Sequence, residues 1–487
     1  MRLSELVAEL DYKLVQGNVD TEINQCVYDS RKAGKGDVFI CISGAVSDGH
    51  SYIPQVAEKQ VAAIIVEKDV SVEDKEITVI RVEDTRYALA KISAAYFGNP
   101  DRKLFTIGVT GTKGKTTTTY MIRNVLEACG IKTGLIGTIE TIIGEEHTPA
   151  CNTTPESYVI HEDFKKMVEA GCKAVVMEVS SQGLMLHRTA GINFDIGVFT
   201  NLEPDHIGPN EHASFEEYLQ CKSMLFRQCK TGIVNADDAH MKAVIENHTC
   251  DIETYGVNNE ADVMATDIQY IHEPGKIGTH YHVKGLMECD IELSMPGIFS
   301  VYNSLCAIAV TRHFHIDTEL MKKALLNVSV KGRIEIVKVS DEFTLMIDYA
   351  HNAMALESIL KTLREYHPKR LVCVFGCGGN RAKSRRYEMG EVSGRLADFT
   401  IITSDNPRFE EPQEIMNDII TGISKTEGKH IDIIDRKEAI RYAIENGQKG
   451  DIIVLAGKGH EDYQEIKGVK YPMDERVLIQ EILEEMK

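Results

Sequence analysis

A glycine-rich segment, Gly108-Val-Thr-Gly111-Thr112-Lys113-Gly114-Lys115-Thr116-Thr117, lies between an apolar run and a stretch with helical periodicity. Glycines let backbone N–H groups converge on phosphate oxygens, and a helix N-terminus adds the positive end of its dipole. Lys115 would supply a point charge for β- and γ-phosphates, and Thr116 a hydroxyl for Mg²⁺. Strand, loop and helix are the context that a phosphate loop needs. The first glycine, Gly108, stands one residue earlier than the usual spacing. The competing reading is a glycine-rich turn that binds nothing, and Gly114-Lys115-Thr116 at the helix start speaks against it.

A carboxylate at the end of a neighbouring strand is placed to hold Mg²⁺ beside such a loop. Ala174-Val-Val-Met-Glu178 is an apolar strand ending in one, and a second strand, Phe194–Thr200, runs into Asn201-Leu-Glu-Pro-Asp205-His206. Glu178 and His206 are each weak candidates alone and become plausible ligands beside the loop. Ser214-Phe-Glu-Glu217 has the form of a capping box that starts a helix. On that helix Phe215, Leu219, Lys222 and Phe226 share one stripe, so Lys222 lies on an apolar face. Read from the residues alone, Lys222 is a lysine that snorkels past its neighbours. The sharper reading is a buried amine of depressed basicity, open to carbamylation by CO₂.

Apolar β-rich runs alternating with amphipathic helical segments predict an α/β chain with mainly parallel sheets. With 487 residues it exceeds one hydrophobic core. Gly98-Asn-Pro-Asp-Arg102 and Val330-Lys-Gly-Arg-Ile334 have the character of linkers. Three domains are expected, over 1–100, 101–331 and 332–487. The first holds strands Val38–Ile42, Ala62–Val66 and Thr78–Val82 and the helix Tyr87–Tyr96; the third holds strands near Thr344–Asp348, Arg370–Phe375, Phe399–Thr403 and Asp451–Leu455. The net charge of −20 argues against a general nucleic-acid or anionic-membrane binder. No signal-peptide pattern and no apolar run long enough to span a membrane appear, and the twelve scattered cysteines predict reduced thiols in a reducing, cytoplasmic compartment.

These motifs, in this order, resemble the Mur ligase family along nearly the whole chain, and within it the type that extends UDP-N-acetylmuramoyl-L-alanyl-D-glutamate by its third residue. In the first domain the resemblance rests on Asp29-Ser30-Arg31, Gly36-Asp-Val-Phe39 and Asp48-Gly-His50. In the second it rests on the phosphate loop, Asn152-Thr153-Thr154-Pro155, Glu178-Val-Ser180-Ser181, His187-Arg188, Asp205-His206, Lys222 and Asn303. Gly332-Arg333-Ile-Glu335, Asp348-Tyr-Ala-His351-Asn352, Gly376-Cys-Gly-Gly379, Asp405-Asn406-Pro-Arg408 and Gly457-Lys-Gly-His-Glu461 complete it. Lys113, Ala353, Gln182 and Leu186 depart from the commoner family residues. Asp205-His-Ile-Gly-Pro-Asn-Glu-His212 is similar to a stretch found in some lysine-adding members.

The resemblance implies an N-terminal UDP-binding α/β domain, a central P-loop ATPase-like domain and a C-terminal Rossmann-like domain. It implies an ATP-dependent, Mg²⁺-requiring amide-bond ligase of peptidoglycan synthesis, and with it cell wall biogenesis, cell shape and cell division, working through an acyl phosphate. ATP would meet Gly111, Thr112, Lys113, Gly114, Lys115, Thr116, Thr117, Asn303, Arg333, Asp348 and His351, between the second and third domains. Thr116 and Glu178 would serve one Mg²⁺; Glu178, His206 and a carbamylated Lys222 the other. Lys115, Glu178, His206 and Lys222 are the implied catalytic group. Ser30, Asn152, Thr153, Thr154, Ser180 and Arg188 would hold the nucleotide–dipeptide. Arg408, assisted by Arg386, Asp405 and Asn406, with Glu461 and the Gly457 carbonyl, would take meso-2,6-diaminopimelate. L-Lysine as the added residue, a folate-polyglutamylating relative and a non-catalytic ATP-binding module are the alternatives. A monomer is expected.

Overall fold

The structure is a computed structural model that describes residues 1–44, 47–205, 207–208, 211–273 and 275–486. It divides into two compact units, Met1–Asp262 with Cys306–Ile316, and Val263–Leu305 with Asp317–Lys487.

The first unit holds two sheets. In the N-terminal sheet the strands run in the order Lys13–Gln16, Thr78–Arg81, Ala63–Val66, Val38–Ile40 and Cys26–Val27. All its pairings are parallel except that of the edge strand Lys13–Gln16. The larger sheet has a parallel centre, ordered Asp251–Gly256, Cys229–Asn235, Phe194–Phe199, Phe105–Thr110, Ala174–Glu178 and Thr133–Ile136. These strands are apolar over several consecutive residues because helices cover both faces. Register places Glu178 opposite Val109 and Phe199 opposite Thr110, so three strands deliver their C-terminal ends to one edge. That edge is where open α/β sheets bind ligands.

The second unit carries antiparallel strands Val263–Glu273, Lys276–Gly285 and Cys289–Leu293, and a C-terminal sheet. The latter is ordered Glu335–Val337, Thr344–Asp348, Asp451–Ala456, Arg370–Phe375, Phe399–Ile402 and His430–Asp432. Helices pack apolar faces on it: Leu356, Leu360, Met389 and Ile419 on one side, Ala439, Ile440 and Ile479 on the other. The expected strands are present to within two residues at each end. The antiparallel strands after Asp262 and the hairpin Tyr463–Ile466/Val469–Pro472 were outside the alternating pattern. All twelve cysteines are free thiols, and among the described residues no helix is long and apolar enough to cross a membrane.

One buried histidine makes the fold pH-sensitive. The helix Ser157–Glu169 buries Ile160, Phe164 and Met167, and His161 beside them is 1% exposed, with neither ring nitrogen hydrogen-bonded among the described residues. Burial pulls its pKa down to about 4. Below an unfolded-state value of about 6.5 the unfolded chain therefore binds a proton that the folded chain refuses, and stability falls as pH drops from there toward 4. At pH 5 the loss from this one group is about 2 kcal/mol. His161→Phe is expected to melt like the parent at pH 7.5 and to lose several degrees less on acidification to pH 5. Equal losses in the two melting curves would show that His161 titrates normally.

Candidate functional site

The phosphate loop is built by the strand Phe105–Thr110, which ends at Gly111, and the helix Lys115–Ala128, which starts after Gly114. Gly114 has φ of +85°, and Gly111 has φ of +149° with room for no Cβ, since one would lie 1.9 Å from Thr200 Oγ1. The segment after Phe194–Phe199 fastens the loop. Asn201 accepts from the Lys113 N–H at 2.9 Å and its carbonyl from the Thr112 N–H at 2.9 Å; Thr200 Oγ1 donates to the Lys113 carbonyl at 2.7 Å. The Thr112 hydroxyl meets Tyr218 Oη at 2.9 Å, and Lys113 pairs with Glu203 at 2.6 Å. Lys115 Nζ folds back onto the carbonyls of Gly111 and Thr112, at 2.8 and 3.1 Å. Thr116 and Thr117 are buried in the first helical turn.

Glu178 closes its strand 1% exposed. Its carboxylate accepts from the Thr138 N–H at 2.8 Å and the Thr138 hydroxyl at 2.9 Å, and among the described residues no cation pairs with it. Thr138 Oγ1 also meets Thr153 at 3.1 Å. Thr154 Oγ1 bonds the Glu178 carbonyl at 2.9 Å and Ser180 Oγ at 3.1 Å, and Arg188 donates to the Thr154 carbonyl at 2.9 Å while pairing with Glu156 at 2.8 Å. The structure thus brings Thr153, Thr154, Ser180 and Arg188 together around the Glu178 strand end. Asn152 sits exposed on the same loop. Ser30 follows the strand Cys26–Val27, buried, with its carbonyl held by Lys59 at 2.7 Å.

Lys222 is 1% exposed on the helix Phe215–Ser223. Its Nζ donates to the Gly111 carbonyl at 2.9 Å and lies 4.5 Å from the centre of the Tyr218 ring. Burial, with the neighbouring Lys115 charge next, pushes its pKa well below the ordinary lysine value. The snorkelling reading is therefore not what the structure shows: the amine points inward. Ser214 caps the helix by accepting from the Glu217 N–H, but Glu217 reaches back to the Ala213 N–H instead of completing the box. His206 lies outside the described residues.

A buried carboxylate with no cation paired to it among the described residues, and a threonine at a phosphate loop, form an oxygen-only donor set. Mg²⁺ sites commonly use one or two carboxylates plus substrate phosphates, so these residues fit that ion. Among the described residues no group of three or more His, Cys, Asp or Glu is clustered as a complete metal cage.

In the second unit Arg333 stacks over Tyr349 at 4.6 Å, and the rings of His351 and His460 lie 4.5 and 4.7 Å from Tyr349. Asp348 accepts the N–H groups of Ile334 and Ala350, both at 2.9 Å, and burial raises its pKa. Burial lowers the pKa of His351, and that of His460 to about 4. Asn303 lies half-buried on the helix Ile298–Thr311.

The loops after the strands Phe399–Ile402, Arg370–Phe375 and Asp451–Ala456 bring a polar group together. Arg408 Nε pairs with Glu465 at 3.1 Å and its Nη1 donates to the Gly379 carbonyl at 2.7 Å. Asn406 Nδ2 donates to Glu461 at 2.9 Å, and Gly457 N–H to the Asp348 carbonyl at 3.0 Å. Asp405 Oδ1 accepts from the Asn406 N–H at 2.6 Å. Arg386 is buried, and its two Nη atoms meet Glu410 at 2.7 Å and Asp418 at 2.9 Å. Tyr349, Lys458, His460 and Glu465 were not singled out from the sequence. Tyr349, Lys458 and His460 sat inside quoted motifs, while Glu465 lay on the unforeseen hairpin.

A glycine-bounded loop between strand and helix, with a lysine inside it and a buried carboxylate at the adjacent strand end, defines a P-loop nucleotide-binding protein. Three family profiles match the chain: the Mur ligase family catalytic domain over 22–97, the Mur ligase middle domain over 109–311, and the Mur ligase glutamate ligase domain over 332–459. The chain belongs to the Mur ligase family. It is 44% identical to a UDP-N-acetylmuramoyl-L-alanyl-D-glutamate–2,6-diaminopimelate ligase of Caldanaerobacter subterraneus, covering 100% of this chain and 99% of that one. A ligase of the same name from Clostridium perfringens is 41% identical over 99% and 100% of the two chains. A solved structure bearing that ligase name superposes with a TM-score of 0.76 at 28% identity, covering 100% and 99%. The MurF ligase of Thermotoga maritima in complex with ADP, 19% identical over 96% and 97%, shares the fold at a TM-score of 0.57.

Proposed function

We propose that the chain joins 2,6-diaminopimelate to UDP-N-acetylmuramoyl-L-alanyl-D-glutamate at the expense of ATP, as a UDP-N-acetylmuramoyl-tripeptide synthetase of peptidoglycan synthesis. The observation that carries this reading is full-length similarity, at 44% and 41% identity, to ligases named for that reaction. The geometry around Lys115, Glu178 and Arg408 supports this reading.

A carboxylate is a poor acylating agent because its charge repels an amine. Transfer of the γ-phosphoryl group from ATP to the dipeptide carboxylate forms an acyl phosphate and ADP. The amine then attacks the acyl carbon, a C–N bond forms, the C–O bond breaks and phosphate leaves. The phosphate loop's helix N-terminus and the Lys115 ammonium would neutralise charge on the phosphoryl group in flight. Thr116 and Glu178 would hold Mg²⁺, which supplies Lewis-acid neutralisation of the phosphate oxygens when bound. Lys222 as a carbamate would add a second anion, and the family resemblance adds His206 as a further ligand. Thr153, Thr154, Ser180 and Arg188, with Ser30 and Asn152, would orient the nucleotide–dipeptide. Arg333, Asp348, His351 and Asn303 would contact ATP.

Arg408 supports the choice of amino acid. Diaminopimelate ends in a second amine-and-carboxylate centre, lysine in an amine alone. The carboxylate needs a cation, and a planar guanidinium meets it through two hydrogen bonds. A site holding Arg408 for this purpose rejects L-lysine, because lysine offers no carboxylate to the part of the guanidinium that Glu465 and the Gly379 carbonyl do not occupy. With ATP, Mg²⁺ and the nucleotide–dipeptide, phosphate release is expected with meso-diaminopimelate and at least about 100-fold less, in kcat/KM, with L-lysine. Arg408→Ala should erase most of that ratio. L-Lysine used equally or better by the parent would overturn the assignment in favour of the reading suggested by the stretch 205–212.

A further inference from the structure

Lys458 is 0% exposed, and a buried ammonium requires partners for all its protons. It finds three: Asn406 Oδ1 at 3.0 Å, Glu461 Oε2 at 2.7 Å and the Tyr463 carbonyl, with the Tyr463 ring 5.0 Å away. The three acceptors lie on three separate segments, the loop after Phe399–Ile402, the loop after Asp451–Ala456, and the start of the hairpin Tyr463–Pro472. Asn406 Oδ1 is shared with the Glu465 N–H at 2.9 Å, and Glu465 in turn holds Arg408. One buried lysine therefore anchors a chain of contacts running from Glu461 through Asn406 and Glu465 to Arg408.

The charges in this chain form two ion pairs, Lys458 with Glu461 and Arg408 with Glu465. Each pair leaves one polar atom without a contact of its own among the described residues. Glu461 Oε2 takes both the Lys458 ammonium and the Asn406 amide, while Oε1 has no partner among the described residues. Arg408 uses Nε and Nη1 internally, while Nη2 has none. A free carboxylate oxygen and a free guanidinium nitrogen complement a centre carrying both an ammonium and a carboxylate.

We propose that Lys458 is a positioning residue for amino-acid selection: its ammonium fixes Glu461 and Asn406 so that Glu461 and Arg408 together meet the distal zwitterionic centre of the incoming amino acid. The inference rests on the ligase reading above. Lys458 touches no substrate. It acts by holding one oxygen of Glu461 and leaving the other for the ligand, and by tying Asn406 to the strand that carries Glu465.

The test uses the full chain with Lys458→Met, and two readouts. The first is isotope exchange between ADP and ATP dependent on the nucleotide–dipeptide, run without amino acid; it reports acyl-phosphate formation alone. The second is KM for meso-diaminopimelate, for ATP and for the nucleotide–dipeptide in the complete reaction. Exchange is expected to persist within about threefold, with ATP and dipeptide KM equally unmoved, while KM for diaminopimelate rises between about 10- and 100-fold, the range typical of lost supporting contacts. Lys458→Met strands a carboxylate, so the double variant Lys458→Met/Glu461→Gln serves as the folding control. Its KM should be no worse than that of Glu461→Gln alone, because Lys458 acts through that carboxylate. Unchanged KM for diaminopimelate, additive losses in the double variant, or exchange lost together with diaminopimelate binding would each overturn the role of Lys458. A parent chain without dipeptide-dependent exchange would overturn the ligase reading itself.

Discussion

Replacing Lys115 by alanine is expected to reduce amino-acid-dependent phosphate release by at least about 10³-fold, the scale on which single cations act on a transferring phosphoryl group. Lys115 Nζ lies against the carbonyls of Gly111 and Thr112, inside the phosphate loop. A bound phosphate offers the ammonium a far stronger partner than two neutral carbonyls, so the side chain is held ready without being locked. The variant should keep its fold. Those two contacts are local, and the loop is fastened independently through Asn201, Thr200 and Tyr218. Phosphate release and a melting curve measured on the same preparation check both halves. Near-parental turnover with an intact fold would remove the phosphate loop from the mechanism.

The phosphate loop was legible because its chemistry is local: glycine freedom, a lysine and a helix start occupy consecutive positions. The parallel strands were legible for a related reason, since burial on both faces leaves long apolar runs such as Ala174-Val-Val-Met. Glu178 could be singled out because it ends such a run. The antiparallel strands between Val263 and Leu293 mix buried apolar residues with exposed polar ones such as Asp267, Gln269, Lys284 and Asp290, so no long apolar run marks them. Lys458 and Glu465 were invisible for a different reason. Their roles arise only when segments some fifty residues apart in sequence meet, as Asn406 meets Glu461 and Glu465. Arg386 shows the converse. It entered through the family resemblance, and Glu410 and Asp418, which pair with its two Nη atoms, are announced by no spacing in the sequence. Lys222 falls between these cases: helical periodicity placed it on the apolar face, and only the structure shows its amine turned inward to Gly111.

That inward amine is expected to be a carbamate in the working enzyme. Lys115 and Lys222 both donate to the Gly111 carbonyl, which brings the two amines together, with Asp205 the opposing charge that favours the ammonium of Lys222. Keeping both charged there, with Lys222 1% exposed, is unfavourable, and burial with the Lys115 charge drives Lys222 toward the neutral form. A neutral amine carries the lone pair that CO₂ requires. Its attack forms an N–C bond and releases one proton, turning the neutral amine into an anion beside Lys115. The new carboxylate would suit Mg²⁺, a hard cation that takes oxygen ligands. Lys222→Ala should lower turnover on the order of 10²-fold, as losses of groups that support a metal or charge site do, and formate or acetate should restore part of it by filling the emptied space. The modification has its own readout. The parent chain equilibrated with ¹³C-bicarbonate and Mg²⁺ should show one slowly exchanging carbamate carbon by NMR, absent from Lys222→Ala. A parent spectrum without that carbon, or a Mg²⁺-bound crystal structure with an unmodified amine at Lys222, would overturn the carbamate and leave Lys222 as a buried tether of the phosphate loop.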